Sequence, residues 1–495
     1  MRLIRWSILA LLIAAIAAAG WAVQQRRLAS PIARYLGPAV TSGPLSERPA
    51  LFATSVYRLL PTTVEAVQGR LTVAQNRVRP DGRMVDLHFL RFAALTNDPG
   101  ATTFYLEDGP GAAASRTVAG RRFAFLQQLR AAGDVVVTDQ RGTHYSPPTL
   151  QCTTPLEFPL DDEATLPGRA ALLAPYLRNC ARELAPEADL ATFNTRESAR
   201  DLDELRQALG LDQINLVGVG YGSQLALEYV RLFPDRVLSA VLMGVEAPHQ
   251  VYKLPTHVDA ALERVGAAAA ERYPNLLADI LDVLAALDAA AVHVALDIPE
   301  RAEVVLGRMD VEAWLYSALA SRAGIGTIPR GVGRMLQGDY RDIALAVAQS
   351  RASAALSLLP VAVSCSAGAS LGRRERIEVE AEMAVLRYFP QAPLLATCGA
   401  WTGGMLPDDF RQPIESEAYV LAVSGTLDVH TSIEAAEEAL EGFPNAIHLI
   451  VDGAARGDDL LVEARAVGEL VVQFLRQEQL SVDRVVLGPI SFLAP

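Results

Sequence analysis

The stretch from Arg196 to Met243 constrains this chain most, because its hydrophobic period changes repeatedly within a short span. Residues 196–209 repeat at helical spacing and stop at Gly210, and 214–217 form a short apolar run. A glycine turn follows at Gly218-Val219-Gly220-Tyr221-Gly222, residues 223–233 return to helical spacing, and 237–243 are almost wholly apolar. Strand, helix and strand in this order predict a largely parallel sheet covered by helices, an α/β fold.

Apolar and β-branched runs at about 71–77, 85–94, 102–106 and 134–138 add strands before this unit, and 419–423 and 446–451 add two after it. Helices are expected near 51–60 and at 459–476. Two loops leave strands at their C-terminal ends, where open α/β sheets build their sites: Glu107-Asp108-Gly109-Pro110-Gly111 and Asp139-Gln140-Arg141-Gly142-Thr143. Residues 250–400 are Ala-rich, helix-patterned and strand-poor. They read as a helical cap inserted between two parts of the α/β core, 30–249 and 401–495.

Composition limits the function classes. The 44 Lys and Arg against 57 Asp and Glu leave a net charge of −13, with the arginines scattered and Lys253 the only lysine. Such a surface repels phosphate backbones, so no nucleic-acid partner is expected, and small-molecule or peptide chemistry is the better class. Arg2 and Arg5 precede an apolar run from Trp6 to Val23, the pattern of an export signal. Residues 1–29 are read as either a cleaved signal peptide or an uncleaved membrane anchor, placing the body in the periplasm, the cell envelope or the medium. Cys152, Cys180, Cys365 and Cys398 are an even set in an exported chain, which favours disulfides; sequence proximity pairs the first two and the last two. No spacing suits a metal site or a cofactor.

The motifs then carry a resemblance. They are Asp139-Gln140-Arg141-Gly142-Thr143 with Ser146 and Cys152, the Gly218–Gly222 turn with Leu225-Ala226-Leu227-Glu228-Tyr229, Phe233-Pro234-Asp235-Arg236-Val237, and Ser424-Gly425 with Asp428. From about 65 to 480 the chain resembles exported α/β-hydrolases of the tripeptidyl-aminopeptidase and proline-iminopeptidase type. The resemblance implies an α/β-hydrolase fold with a cap, and a nucleophile elbow followed in the chain by an acid and a histidine. In this chain the nucleophile slot is Gly220, the acid slot is Asp428, and the histidine slot, in Gly453-Ala454-Ala455-Arg456-Gly457, is Arg456. Glycine cannot form an acyl-enzyme, and a guanidinium stays protonated and cannot act as a general base.

The surroundings depart from the family too. Asp108 stands where the oxyanion loop has glycine, before Gly109, and His144 replaces a second glycine and is expected to fill space near the pocket. Losing the serine or histidine of a triad costs roughly a million-fold in turnover. Ser223 and Ser366 are poor substitutes, His430 is read as a solvent-facing loop residue, and His448 as packed or surface-facing. Asp428 and Arg456 are expected to form an ion pair, with Asp108 as the second candidate partner for Arg456. The expectation is a pseudoenzyme whose cleft and Tyr221 amide still hold a peptide, a small ligand or a partner protein. The alternatives are an active peptidase or esterase using non-family residues, and a structural subunit of an envelope complex.

Overall fold

In the computed structural model, described over residues 51–59, 62–117, 120, 122–297, 303–351, 356–389 and 392–494, ten strands form one sheet. Residues 1–29, read as an export signal or anchor, lie outside the described residues. The strands are β1 (Leu51–Leu59), β2 (Thr62–Ala74), β3 (Met84–Phe92), β4 (Thr103–Leu106), β5 (Val135–Thr138), β6 (Ile214–Val219), β7 (Val237–Met243), β10 (Tyr419–Gly425), β11 (Ala446–Asp452) and β12 (Arg484–Val486). The remaining two, β8 (Val292–Ala295) and β9 (Glu303–Leu306), form a separate antiparallel hairpin.

The order across the sheet is β1-β2-β3-β5-β4-β6-β7-β10-β11-β12. Pairing is antiparallel from β1 to β5 and parallel from β5 through β4 to β12. Helices on both faces explain the unbroken apolar runs: every residue of β4, β5 and β6 is buried. Alternation then assigns each side chain to a face. Leu216 joins the cluster under helices Thr195–Ala208 and Tyr221–Leu232, whereas Val217 and Val219 join the cluster under Phe123–Leu129 and Arg465–Leu475.

Between β7 and β10 the chain leaves the sheet for a helical region that runs from Pro255–Ala269 to Leu371–Ala381 and contains the β8–β9 hairpin. Its core, with Val258, Leu284, Leu315 and Ile343, also takes in Leu427, Val429 and Ala455 from the sheet's loops. The insertion is thereby clamped to the two loops that carry Asp428 and Arg456.

One expectation changes and two gain detail. The helix expected near 51–60 is strand β1, because its backbone pairs residue by residue with the next strand β2, from Leu59 opposite Thr62 to Leu51 opposite Arg70, and pairing overrides local propensity. The insertion is helical and strand-poor as expected, with one short hairpin, β8–β9. The last helix is a π-helical turn at Asp459–Glu463 followed by Arg465–Leu475, and it begins just past Arg456. Both disulfides form as sequence proximity suggested, Cys152–Cys180 and Cys365–Cys398, with Cα separations of 5.4 and 5.2 Å. Two such bonds fit an oxidising environment. Among the described residues no helix is long and apolar enough to cross a membrane.

Candidate functional site

Gly220 follows β6 and caps the helix Tyr221–Leu232, with φ 51° and ψ −118°. This is the sharp strand-to-helix corner the glycine turn predicted, in a conformation that costs a residue with a Cβ about 1–3 kcal/mol. Space forbids a side chain as well. A Cβ built on Gly220 overlaps the Asp108 carboxylate and stands 2.7 Å from Arg456 Nη2. The volume in front of the elbow is thus filled by two charged groups from distant parts of the chain.

Those groups bond to each other. Arg456 Nη2 donates to Asp108 Oδ2 at 2.7 Å, while Asp108 Oδ1 accepts the Tyr221 backbone N–H at 3.3 Å. Burial pushes the Asp108 pKa up, but the charges of Arg456 and Arg122 and the amides of Tyr221 and Gly109 outweigh it, so the carboxyl lies below its usual range. Arg456 moves the other way: burial works against its charge, and Asp108, Asp428 and Glu246 overcome that. A second shell of charge stiffens the pair. Arg122 bonds Glu107 and, at 2.8 Å, Asp458 Oδ1, and Glu107 Oε1 accepts the Asp108 N–H at 2.9 Å.

The expected Asp428–Arg456 ion pair is therefore corrected in favour of the second candidate, Asp108. The reason is local. Asp428 Oδ1 accepts from His430 N at 2.8 Å and Thr431 N at 2.9 Å, and Oδ2 accepts from Thr431 Oγ1 at 2.5 Å. Its own turn supplies three donors that fix the carboxylate, and it acts on Arg456 through its charge.

His430 is not the solvent-facing residue expected from the sequence. Its Nε2 lies 3.0 Å from the Tyr316 carbonyl and its ring is tilted against the Tyr316 ring, in the helix Arg308–Ala318 of the insertion. Burial first, and then Arg456, pushes its pKa down to about 4, so it is neutral at pH 7 and donates Nε2–H to that carbonyl. His144 is also corrected: rather than filling space, it is exposed on the wall of an open cleft of about 870 Å³, edge-on to Tyr145. Glu107, Asp108, Arg116, Arg122 and Asp458 line the same cleft.

The alternative nucleophiles are tied down. Ser223 Oγ donates its single proton to Gly220 O at 2.5 Å and accepts Glu246 N at 2.8 Å. Ser366 is buried in the helix Leu359–Ala367 and donates to Val363 O at 2.9 Å. His448 sits in β11, 2.9 Å from Ser424 Oγ. Sequence reasoning missed Arg122, Glu107 and Asp458, and also Glu246, which pairs with Lys253 at 2.6 Å. Arg122 and Asp458 are 336 positions apart, so no linear pattern joins them; the adjacency of Glu107 to Asp108 was the one available signal.

Comparison with known proteins bears on the fold and family. A model of the alpha/beta hydrolase fold matches residues 122–349, and a model of TAP-like proteins matches 389–486. Tripeptidyl aminopeptidase of Streptomyces lividans is 31% identical over 195 residues, which cover 36% of this chain and 35% of that protein. Serine protease Hip1 of Mycobacterium bovis is 26% identical, with 37% and 36% covered. The matched stretch thus spans about a third of the length of these curated relatives. A solved serine hydrolase of Cycloclasticus zankles overlaps at a TM-score of 0.34 and 13% identity, over 82% of this chain and 97% of that one. By its sheet, its elbow and the two family-model matches, the chain has the α/β-hydrolase fold and is similar to proteins of the tripeptidyl-aminopeptidase type.

Proposed function

We propose that this protein is an exported member of the family that no longer hydrolyses and instead uses its cleft to bind a ligand. One observation carries the reading: the Asp108 carboxylate, held by Arg456, occupies the space of a Gly220 side chain and takes the Tyr221 amide. In a working elbow that amide, the one after the nucleophile, stabilises the oxyanion. A resident anion on it removes the donor, as Gly220 removes the nucleophile and Arg456 the base. Asp428, as the retained acid, has no imidazole to orient.

The open cleft lined by Arg116, His144 and Glu107 supports binding as the remaining role. Relatives named as an aminopeptidase and a serine protease point to peptides as the ligand class. Export is supported by the two disulfides. The test is hydrolysis of aminoacyl and tripeptidyl fluorogenic substrates and short esters by the purified protein. The expected result is no turnover above buffer. Turnover proportional to protein overturns the reading, and its loss in Ser223→Ala or His430→Ala would name the residue that carries it.

A further inference from the structure

A second cavity, of about 320 Å³, lies at the junction of the helix Leu166–Leu184 with the insertion. Phe158, Leu173, Met309 and Leu394 give it apolar walls. Leu356 faces it while the next residue, Ser357, faces the main cleft, and Ser357 bridges Gln151. Alternating side chains on this short extended segment make it a partition between the two spaces.

The charge in this second cavity is unbalanced. Arg169 lies on the ring of Phe158, 4.3 Å from its centroid, with its side chain only 14% exposed. Asp310 Oδ1 is 4.0 Å away, beyond hydrogen-bond reach, and among the described residues the guanidinium has no acceptor. Asp310 is committed elsewhere: Arg351 Nη2 donates to its two oxygens at 2.7 and 2.8 Å, and Gly307 N donates at 3.0 Å. Two guanidiniums therefore share one buried carboxylate at the edge of an apolar space, and Asp162 acts on Arg169 only through its charge. Burial and the charge of Arg351 both act against the Arg169 cation. A cation placed so costs free energy until an anion meets it, and the apolar walls admit an anion that carries a hydrophobic tail.

We propose that this cavity is a binding site for an alkyl carboxylate, a medium-chain fatty acid whose headgroup pairs with Arg169 and whose tail fills the pocket. The site stands apart from the elbow and from any chemistry there.

Calorimetric titration of the full chain with sodium decanoate, below its micelle concentration, tests this. One saturable site is expected, at least tenfold weaker in Arg169→Gln, partly restored in Arg169→Lys, and lost in Ala313→Leu, which crowds the cavity. Decanol should bind at least tenfold more weakly than decanoate and equally well to the parent and Arg169→Gln; acetate should not bind. Absence of saturable decanoate binding overturns the proposal. So does an affinity unchanged in Arg169→Gln, or, if that variant does not fold, unchanged in Ala313→Leu.

Discussion

At the residue scale, the Asp108–Arg456 contact decides what the elbow can hold. Gly220→Ser alone puts a side chain into space the carboxylate already fills, at a backbone angle only glycine adopts freely. The expected outcome is a lower melting temperature and no gain of hydrolysis, checked by calorimetry and ester turnover. Removing one partner leaves the other charge under-compensated, so Asp108→Ala or Arg456→Ala should each cost about 1–3 kcal/mol in urea unfolding. The double variant should cost less than the sum of the two, which a double-mutant cycle reads directly. The identities at the slots were legible because Gly220, Asp428 and Arg456 lie in recognisable local motifs. The partner of Arg456 was not. Asp108 is 348 positions away, and the rival Asp428 accepts three hydrogen bonds from a turn whose backbone geometry no spacing rule reveals.

Protonation also belongs to single residues. His430 and His249 both have pKa values pushed down to about 4, chiefly by burial. In the unfolded chain a histidine titrates near 6.5, so between about 6.5 and 4 the unfolded state binds protons the folded state does not. Stability therefore falls as pH drops through that window. A thermal melt at pH 5 should come below that at pH 7, and the gap should narrow in His430→Gln, whose amide retains a donor for the Tyr316 carbonyl. Asp108 acts in the same direction further down: its stabilisation is present above the ordinary carboxylate range and is lost as pH falls below it.

At the element scale, the parallel part of the sheet was legible and its edges were not. Buried parallel strands such as β5, with the sequence VVVT, announce themselves as continuous apolar runs, and the flanking helices by their period. The edge strand β1 exists through its ladder to β2, and the hairpin β8–β9 through mutual pairing, and a reading of each run by its own apolar period does not register such pairing. The disulfides work at this scale too. Cys180 ties the helix Leu166–Leu184 to the loop after β5, and Cys365 ties Leu359–Ala367 to Cys398, which comes 33 residues later. Replacing either pair by serine should cost about 2–5 kcal/mol, measured by unfolding under non-reducing conditions.

At the scale of the whole molecule, the insertion and the elbow are one assembly. Leu427, Val429 and Ala455 belong to the insertion's core, so the loops bearing Asp428 and Arg456 are held from above as well as by the sheet. The frame of a serine hydrolase is thus kept, while the space in front of its nucleophile position is taken by an internal ion pair. Reactivity toward a fluorophosphonate tests that claim most directly, comparing Gly220→Ser and Gly220→Ser/Arg456→His with the triple variant that adds Asp108→Gly. The account predicts that only the triple variant is labelled. Labelling of either of the first two, with Asp108 still in place, would contradict it.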